Sequence, residues 1–198
     1  MARTVLGAHH RSNPDICPMS IFLTSHGAAG TVTGSKHLIE VRGDQGVFRL
    51  LLDCGMFQGE ALREVRHDPN RSFGFDPREI DALVLSHAHI DHSGLVPRLV
   101  AEGFNGPIWS TPATRDLCDI MLLDSAHIQE YDHAFEVKRA GERGRQAEVE
   151  GPLYTKDDVP PAMALFRTVE YATPTVIGPG ITLTYTDTGH ILGSAAIH

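Results

Sequence analysis

A chain of 198 residues with 41% hydrophobic and 21% charged side chains reads as one soluble globular domain, or most of one. No run of 18 apolar residues occurs, which argues against a membrane-spanning helix, and the first residues lack the apolar stretch of a secretion signal. The formal net charge of −8 speaks against nucleic-acid binding through overall charge, though a locally basic groove remains compatible with it.

Residues 1–18 read as a loose, disordered extension that includes His9 and His10, and Met19 offers an alternative start. Cys17, Cys54 and Cys118 show no CxxC spacing; an odd, sparse set suits a reducing cytosol and reads as small buried thiols. Residues 21–24 form a short strand pattern, followed by the Gly-rich "GAAGTVTGS". This loop does not match a phosphate-binding P-loop, because Gly34, Ser35 and Lys36 stand in the wrong order and spacing. It reads instead as a tight loop edging a cleft. "KHLIEV" and "VFRLLLDCG" predict two strands joined by a turn, and the nearly all-apolar run 47–52 predicts burial on both faces.

Residues 56–75 are irregular and polar. A buried-type strand is predicted over 82–86, then a helix over "SGLVPRLVAEGF" with Pro97 in its first turn. After the short strand "GPIWS", Thr111–Pro112 signals a helix start, and apolar Leu117, Ile120, Met121 and Ile128 recur at helical spacing to about Phe135. A charged loop carrying Lys138, Arg139, Arg143 and Arg145 reads as solvated, and another short helix is predicted within "TKDDVPPAMALFRTV". The last stretch predicts two strands around a Gly-Pro-Gly turn, a loop at 189–193 and the start of one more strand. Strands alternating with helices predict an α/β layered fold.

The segment "LSHAHIDHSG" carries the chemistry. His87 and His89 are two apart, so on an extended chain their rings point to the same side and can grip one ion. Asp91 and His92 follow where the chain turns into the helix and can face a neighbouring point. Zn²⁺ takes His nitrogen and Asp oxygen at ~2.0–2.2 Å, and two ions ~3.5–4 Å apart can share a hydroxide. A third nitrogen for the first ion is offered by His190 in "TDTGHILGS", where flanking glycines permit close approach. Asp53 can orient a ligand through a hydrogen bond or serve as a turn carboxylate, and position alone leaves both open. His26, His37, His67, His127 and His133 read as structural or solvated.

"SHAHIDHSG", "LLDCGMFQG" and "TDTGHILGSA" together resemble the metallo-β-lactamase superfamily. With "GAAGTVTGSKHLIEV", "GPIWSTPATRDLCDIMLLDSAHIQE" and "PLYTKDD", they resemble more narrowly its β-CASP branch of RNA-processing nucleases. The resemblance implies an αββα sandwich, truncated at its C-terminus, with residues 19–198 as the N-terminal part of the domain. It implies two zinc ions, with His87, His89 and His190 on the first and Asp91 and His92 contributing to the second. Asp53 becomes the first-motif aspartate, grouped with Asp91 as catalytic. A bridging aspartate, the inserted β-CASP domain and later histidines are not in the sequence. The expected reaction is RNA phosphodiester hydrolysis by a metal-activated hydroxide, in a cytoplasmic enzyme with RNA as its partner and oligomeric state open. The alternatives are a metallo-hydrolase of small thioesters or lactams, and a non-catalytic metal-binding fragment.

Overall fold

The computed structural model describes residues 2–6, 19–44, 46–59, 68–142 and 149–198. A seven-stranded sheet runs in sequence order. β1 (Ala2–Leu6), β2 (Ser20–Ser25), β3 (His37–Gly43) and β4 (Gly46–Leu52) form an antiparallel meander. β5 (Ala82–Val84), β6 (Ile108–Ser110) and β7 (Phe166–Thr168) then add in parallel to β4. Where a loose extension was expected, Ala2–Leu6 pairs with the edge of β2, in register from Ala2 opposite Ser25 to Leu6 opposite Ile21. His9, His10 and Cys17 lie outside the described residues, as do His67, Arg143 and Arg145.

Crossovers between the parallel strands carry the helices. α1 (Ile90–Ser93) and α2 (Val96–Ala101) connect β5 to β6, and α3 (Pro112–Gly141) and α4 (Val159–Met163) connect β6 to β7. The single helix expected after the histidine cluster is thus two. A turn at Gly94 and Leu95 separates them, and Pro97 stands in the first turn of α2, where its missing N–H costs nothing. Thr111 caps α3 by accepting from the Thr114 N–H, as its sequence predicts. α3 runs past Phe135 to Gly141, because residues 136–140 hold no helix breaker. Its core face is Thr114, Cys118, Leu122 and Ala126, spaced by four, whereas Ile120 and Ile128 are 68% and 51% exposed.

The apolar strands divide their side chains between two cores with the period of two that a pleat imposes. Leu51, Leu83 and Leu85 point into the helix-side core with Leu95, Leu99 and Leu122. Leu50, Ala82 and Val84 point to the opposite face, against Ile177, Leu183 and Tyr185. That second face is covered by two antiparallel ribbons: β8 (Thr175–Gly178) with β9 (Ile181–Leu183), and β10 (Tyr185–Asp187) with β11 (Ala195–Ile197). Burial on both faces holds for the C-terminal half of β4, at Leu50 and Leu51, whereas Val47 is exposed; each fully buried Leu contributes ~1.5–3 kcal/mol. The described residues build the α, β and β layers of the expected sandwich. Tyr185, fully buried, joins the layers through its hydroxyl, which donates to Leu85 O (3.1 Å) and Trp109 O (3.0 Å).

Candidate metal centre

The site forms where the parallel strands end, the usual crevice of an α/β sheet. β5 stops at Val84, two residues earlier than predicted, because the Asp53 carboxylate intercepts the Ser86 N–H at 2.8 Å. The chain then bends at Ser86 and reaches His89 (φ −55°, ψ 144°) before α1 begins. His87 and His89 consequently lie side by side, with Nε2 of His87 3.1 Å from Nδ1 of His89.

His190 arrives from the loop between β10 and β11, and its Nε2 sits 3.2 Å from the same His89 Nδ1. Its ring centroid is 5.0 Å from both the His87 and the His89 rings. The loop is anchored by its backbone. Ser194 Oγ accepts from the His190 and Ile191 N–H groups at 3.1 and 3.2 Å, and Gly193 O accepts from Thr111 Oγ1 and Thr114 Oγ1 at 2.7 and 2.9 Å. Gly193 has φ +82°, and a Cβ there would lie 2.5 Å from Thr114 N, so the loop's close seat on α3 requires glycine.

The donor set fits a cation. The three ring nitrogens lie within 4.8 Å of one another, the contacts through His89 Nδ1 being 3.1 and 3.2 Å. Ligand nitrogens at tetrahedral positions ~2.0–2.1 Å from a zinc ion would be about 3.3 Å apart. His89 Nδ1 can place at most one hydrogen between itself and two facing nitrogens, so hydrogen bonding alone leaves the cluster unsatisfied. A metal ion at their centre would take all three lone pairs. His87 is held neutral, the form that a metal ligand needs: burial pushes its pKa down to about 4, and the neighbouring imidazoles add to this, with His92 the strongest.

Sequence comparison agrees with this geometry. Residues 37–193 match the metallo-beta-lactamase superfamily profile. The chain belongs to the metallo-beta-lactamase superfamily. This superfamily member is 38% identical over 172 residues to Ribonuclease TTHA0252 of Thermus thermophilus, a match covering 86% of the chain and 33% of that protein. It is 33% identical over 178 residues to Transcription termination factor FttA of Cenarchaeum symbiosum, covering 90% and 24%. The FttA of Methanosarcina mazei is 35% identical over 154 residues, covering 76% and 21%. The chain thus spans a third or less of the length of these relatives.

In this metallo-beta-lactamase chain the remaining predicted residues form a second group beside the triad. Asp53 is buried at the end of β4, with an uncommon φ of +58° for a side-chain-bearing residue. Its Oδ2 accepts from His92 Nδ1 at 2.7 Å, Ser86 Oγ at 3.0 Å and Ser35 Oγ at 3.2 Å. Asp53 therefore positions side chains from behind the triad. Burial works to lower the His92 pKa, but the hydrogen bond and charge of Asp53, together with Asp91, outweigh it and raise the value. Asp91 Oδ2 lies 3.7 Å from His92 Nε2. Among the described residues, Asp91 and His92 meet no further ligand that would complete a second cluster.

Sequence reading missed the residues that hold this arrangement. Ser35 donates its N–H to Asp91 O at 2.9 Å and accepts from the Gly55 N–H at 2.8 Å, so the end of the Gly-rich loop does edge the site, as expected. Asn70 exchanges hydrogen bonds with the Phe57 backbone at 2.7 and 3.1 Å, fastening the irregular segment. His37 Nδ1 meets Ser25 Oγ at 3.0 Å, His133 Nδ1 meets Glu150 O at 3.0 Å, and His127 is exposed; these fill the structural and solvated roles expected of them. Cys54 and Cys118 are free, buried thiols.

Lys36 is fully buried; its Nζ donates to Gly55 O at 2.7 Å and stands 4.4 Å from the Phe57 ring centre. Burial, opposed by Cys54, lowers its pKa from an ordinary 10.5 to about 8. The unfolded chain therefore binds this proton more tightly than the folded one. The cost of burying the ammonium is fully present below pH 8 and is relieved as the pH rises to about 10.5, a gain of roughly 3 kcal/mol. Lys36→Met should abolish that rise. At pH 7 it should stabilise the chain by ~1–2 kcal/mol once the orphaned Gly55 carbonyl is counted. Urea unfolding at pH 7 and pH 10 measures both effects.

Proposed function

We propose that the chain is the metal-binding part of a zinc-dependent ribonuclease of the β-CASP branch, acting on RNA phosphodiesters in the cytoplasm. The observation that carries this reading is the convergence of His87, His89 and His190 on one point. Support comes from the similarity to a protein named as a ribonuclease and to transcription termination factors. The buried free thiols Cys54 and Cys118 suit a reducing compartment.

In this reading His87, His89 and His190 hold the first zinc ion, and Asp91 and His92 contribute to a second. Bound zinc supplies a Lewis acid for the phosphoryl group and acidifies a water molecule. The residues do the rest. The Asp91 carboxylate, half-buried beside the triad, orients the attacking water and accepts its hydrogen bond. Asp53 keeps His92 Nδ1 protonated, which leaves the His92 Nε2 lone pair free on the Asp91 side.

Asp91→Ala in the full chain should abolish cleavage of an RNA phosphodiester substrate, and near-wild-type turnover would refute the assignment. Parallel assays against a thioester and a lactam distinguish the small-molecule alternative. Turnover there without RNA cleavage would favour that class.

A further inference from the structure

We propose that Ser86 is a positioning residue that ties the histidine triad to the Asp53–His92 pair and fixes one ring tautomer in each; this rests on the metal-binding reading above. Ser86 Oγ lies 2.9 Å from His87 Nδ1 and 3.0 Å from Asp53 Oδ2, and Asp53 Oδ2 is 2.7 Å from His92 Nδ1. A longer contact of 3.4 Å runs from Ser86 Oγ to His92 Nδ1 itself.

The direction of this chain follows from the donors available. An ionised carboxylate only accepts, so the single Ser86 hydroxyl hydrogen points to Asp53. Ser86 Oγ then has lone pairs to offer, and His87 Nδ1 must carry the hydrogen that meets them. From the other side, His92 Nδ1 donates to the same carboxylate oxygen. The connected path is His87 Nδ1–H to Ser86 Oγ–H to Asp53 Oδ2, met by His92 Nδ1–H.

One carboxylate thereby sets both rings. His87 Nε2 keeps its lone pair toward His89, and His92 Nε2 keeps its lone pair toward Asp91. The Ser86 backbone closes the arrangement, since its N–H holds Asp53 Oδ1 at 2.8 Å and so fixes the carboxylate plane. Ser35 also bonds Asp53 Oδ2, but among the described residues no Ser35 hydrogen bond to a site histidine accompanies it, whereas Ser86 spans both groups. Outer partners of metal-binding histidines commonly contribute 10–100-fold in affinity by this orienting effect.

The experiment compares wild type, Ser86→Ala and Ser86→Thr in the full chain, with folding checked by circular dichroism. Zinc affinity is measured by calorimetry, and ring tautomers by imidazole ¹⁵N NMR of the metal-free protein. Ser86→Ala should weaken zinc binding about 10–100-fold. It should also release His87 from a single Nδ1–H tautomer while His92, still on Asp53, keeps its own. Ser86→Thr, which retains the hydroxyl, should recover most of the affinity and the His87 signature. A purely space-filling serine would leave the tautomers unmoved. Unchanged affinity and an unchanged His87 tautomer in Ser86→Ala overturn the proposal. Wild type that takes up no zinc defeats the metal reading instead, and the NMR comparison still decides the role of Ser86.

Discussion

Replacing His190 with alanine should cost the full chain about 100–1,000-fold in zinc affinity while leaving it folded. Structural zinc sites gain ~10–16 kcal/mol from four ligands, so losing one ligand removes roughly 3–4 kcal/mol. The fold should survive because the ring is exposed and the loop is secured by backbone contacts. Ser194 Oγ holds the His190 and Ile191 N–H groups, and Gly193 O is held by Thr111 and Thr114 at the start of α3. None of these bonds involves the imidazole. Calorimetric zinc titration paired with circular dichroism tests this. An affinity within tenfold of wild type would mean that His190 is a bystander and that the ion, if one binds, is held by His87 and His89 with other partners.

The difference between what the sequence discloses and what the structure adds follows from the range of each interaction. The geometry of His87 and His89 is local: two positions along an extended backbone place both rings on one side whatever the rest of the chain does. The two-sided burial at the end of β4 is equally local, since it needs only the apolar run Leu50, Leu51 and Leu52. His190 is 101 residues from His89, and its place was supplied by resemblance to a family rather than by spacing. The residues that escaped notice act at a distance through common chemical types. Ser35 and Ser86 reach Asp53 across 18 and 33 residues, and a serine after a strand or in a glycine-rich loop has no pattern that separates it from a solvated one. Lys36 escaped for the opposite reason, because a lysine is expected in water and its burial is visible only once the 53–57 segment folds over it. The helical spacing of Leu117, Ile120, Met121 and Ile128 marks α3 without naming its core face, and Ile120 and Ile128 stay exposed. Periodicity identifies a helix but not which stripe faces the core, here Thr114, Cys118, Leu122 and Ala126.

Gly55→Ala should destabilise the chain by more than ~4 kcal/mol and, under the function proposed above, abolish both zinc binding and hydrolysis. A Cβ on Gly55 would stand 1.7 Å from Asp91 O, 2.2 Å from Asp91 C and 2.7 Å from His92 N. All three are backbone atoms, so no rotamer change relieves the clash. The two segments are also bolted together on either side. Cys54 N–H donates to His92 O at 2.7 Å and Met56 N–H to Ile90 O at 2.9 Å, while Ser35 N–H, from the neighbouring Gly-rich loop, holds Asp91 O at 2.9 Å. Relief would require separating the 53–57 segment from the start of α1. The first begins with Asp53, and the second carries Asp91 and His92 directly behind His89. A displacement of about 1 Å at such a site commonly costs 10²-fold in rate, and this clash demands more. Gly43→Ala is the matched control, because a Cβ there meets nothing within 4 Å, and its cost should stay below ~1 kcal/mol. Urea unfolding of the two variants separates steric contact from the general preference for alanine over glycine. Equal stabilities would show that the 53–57 segment is free to move away from the ligand-bearing turn, and Asp53 would then have no fixed place from which to orient His92.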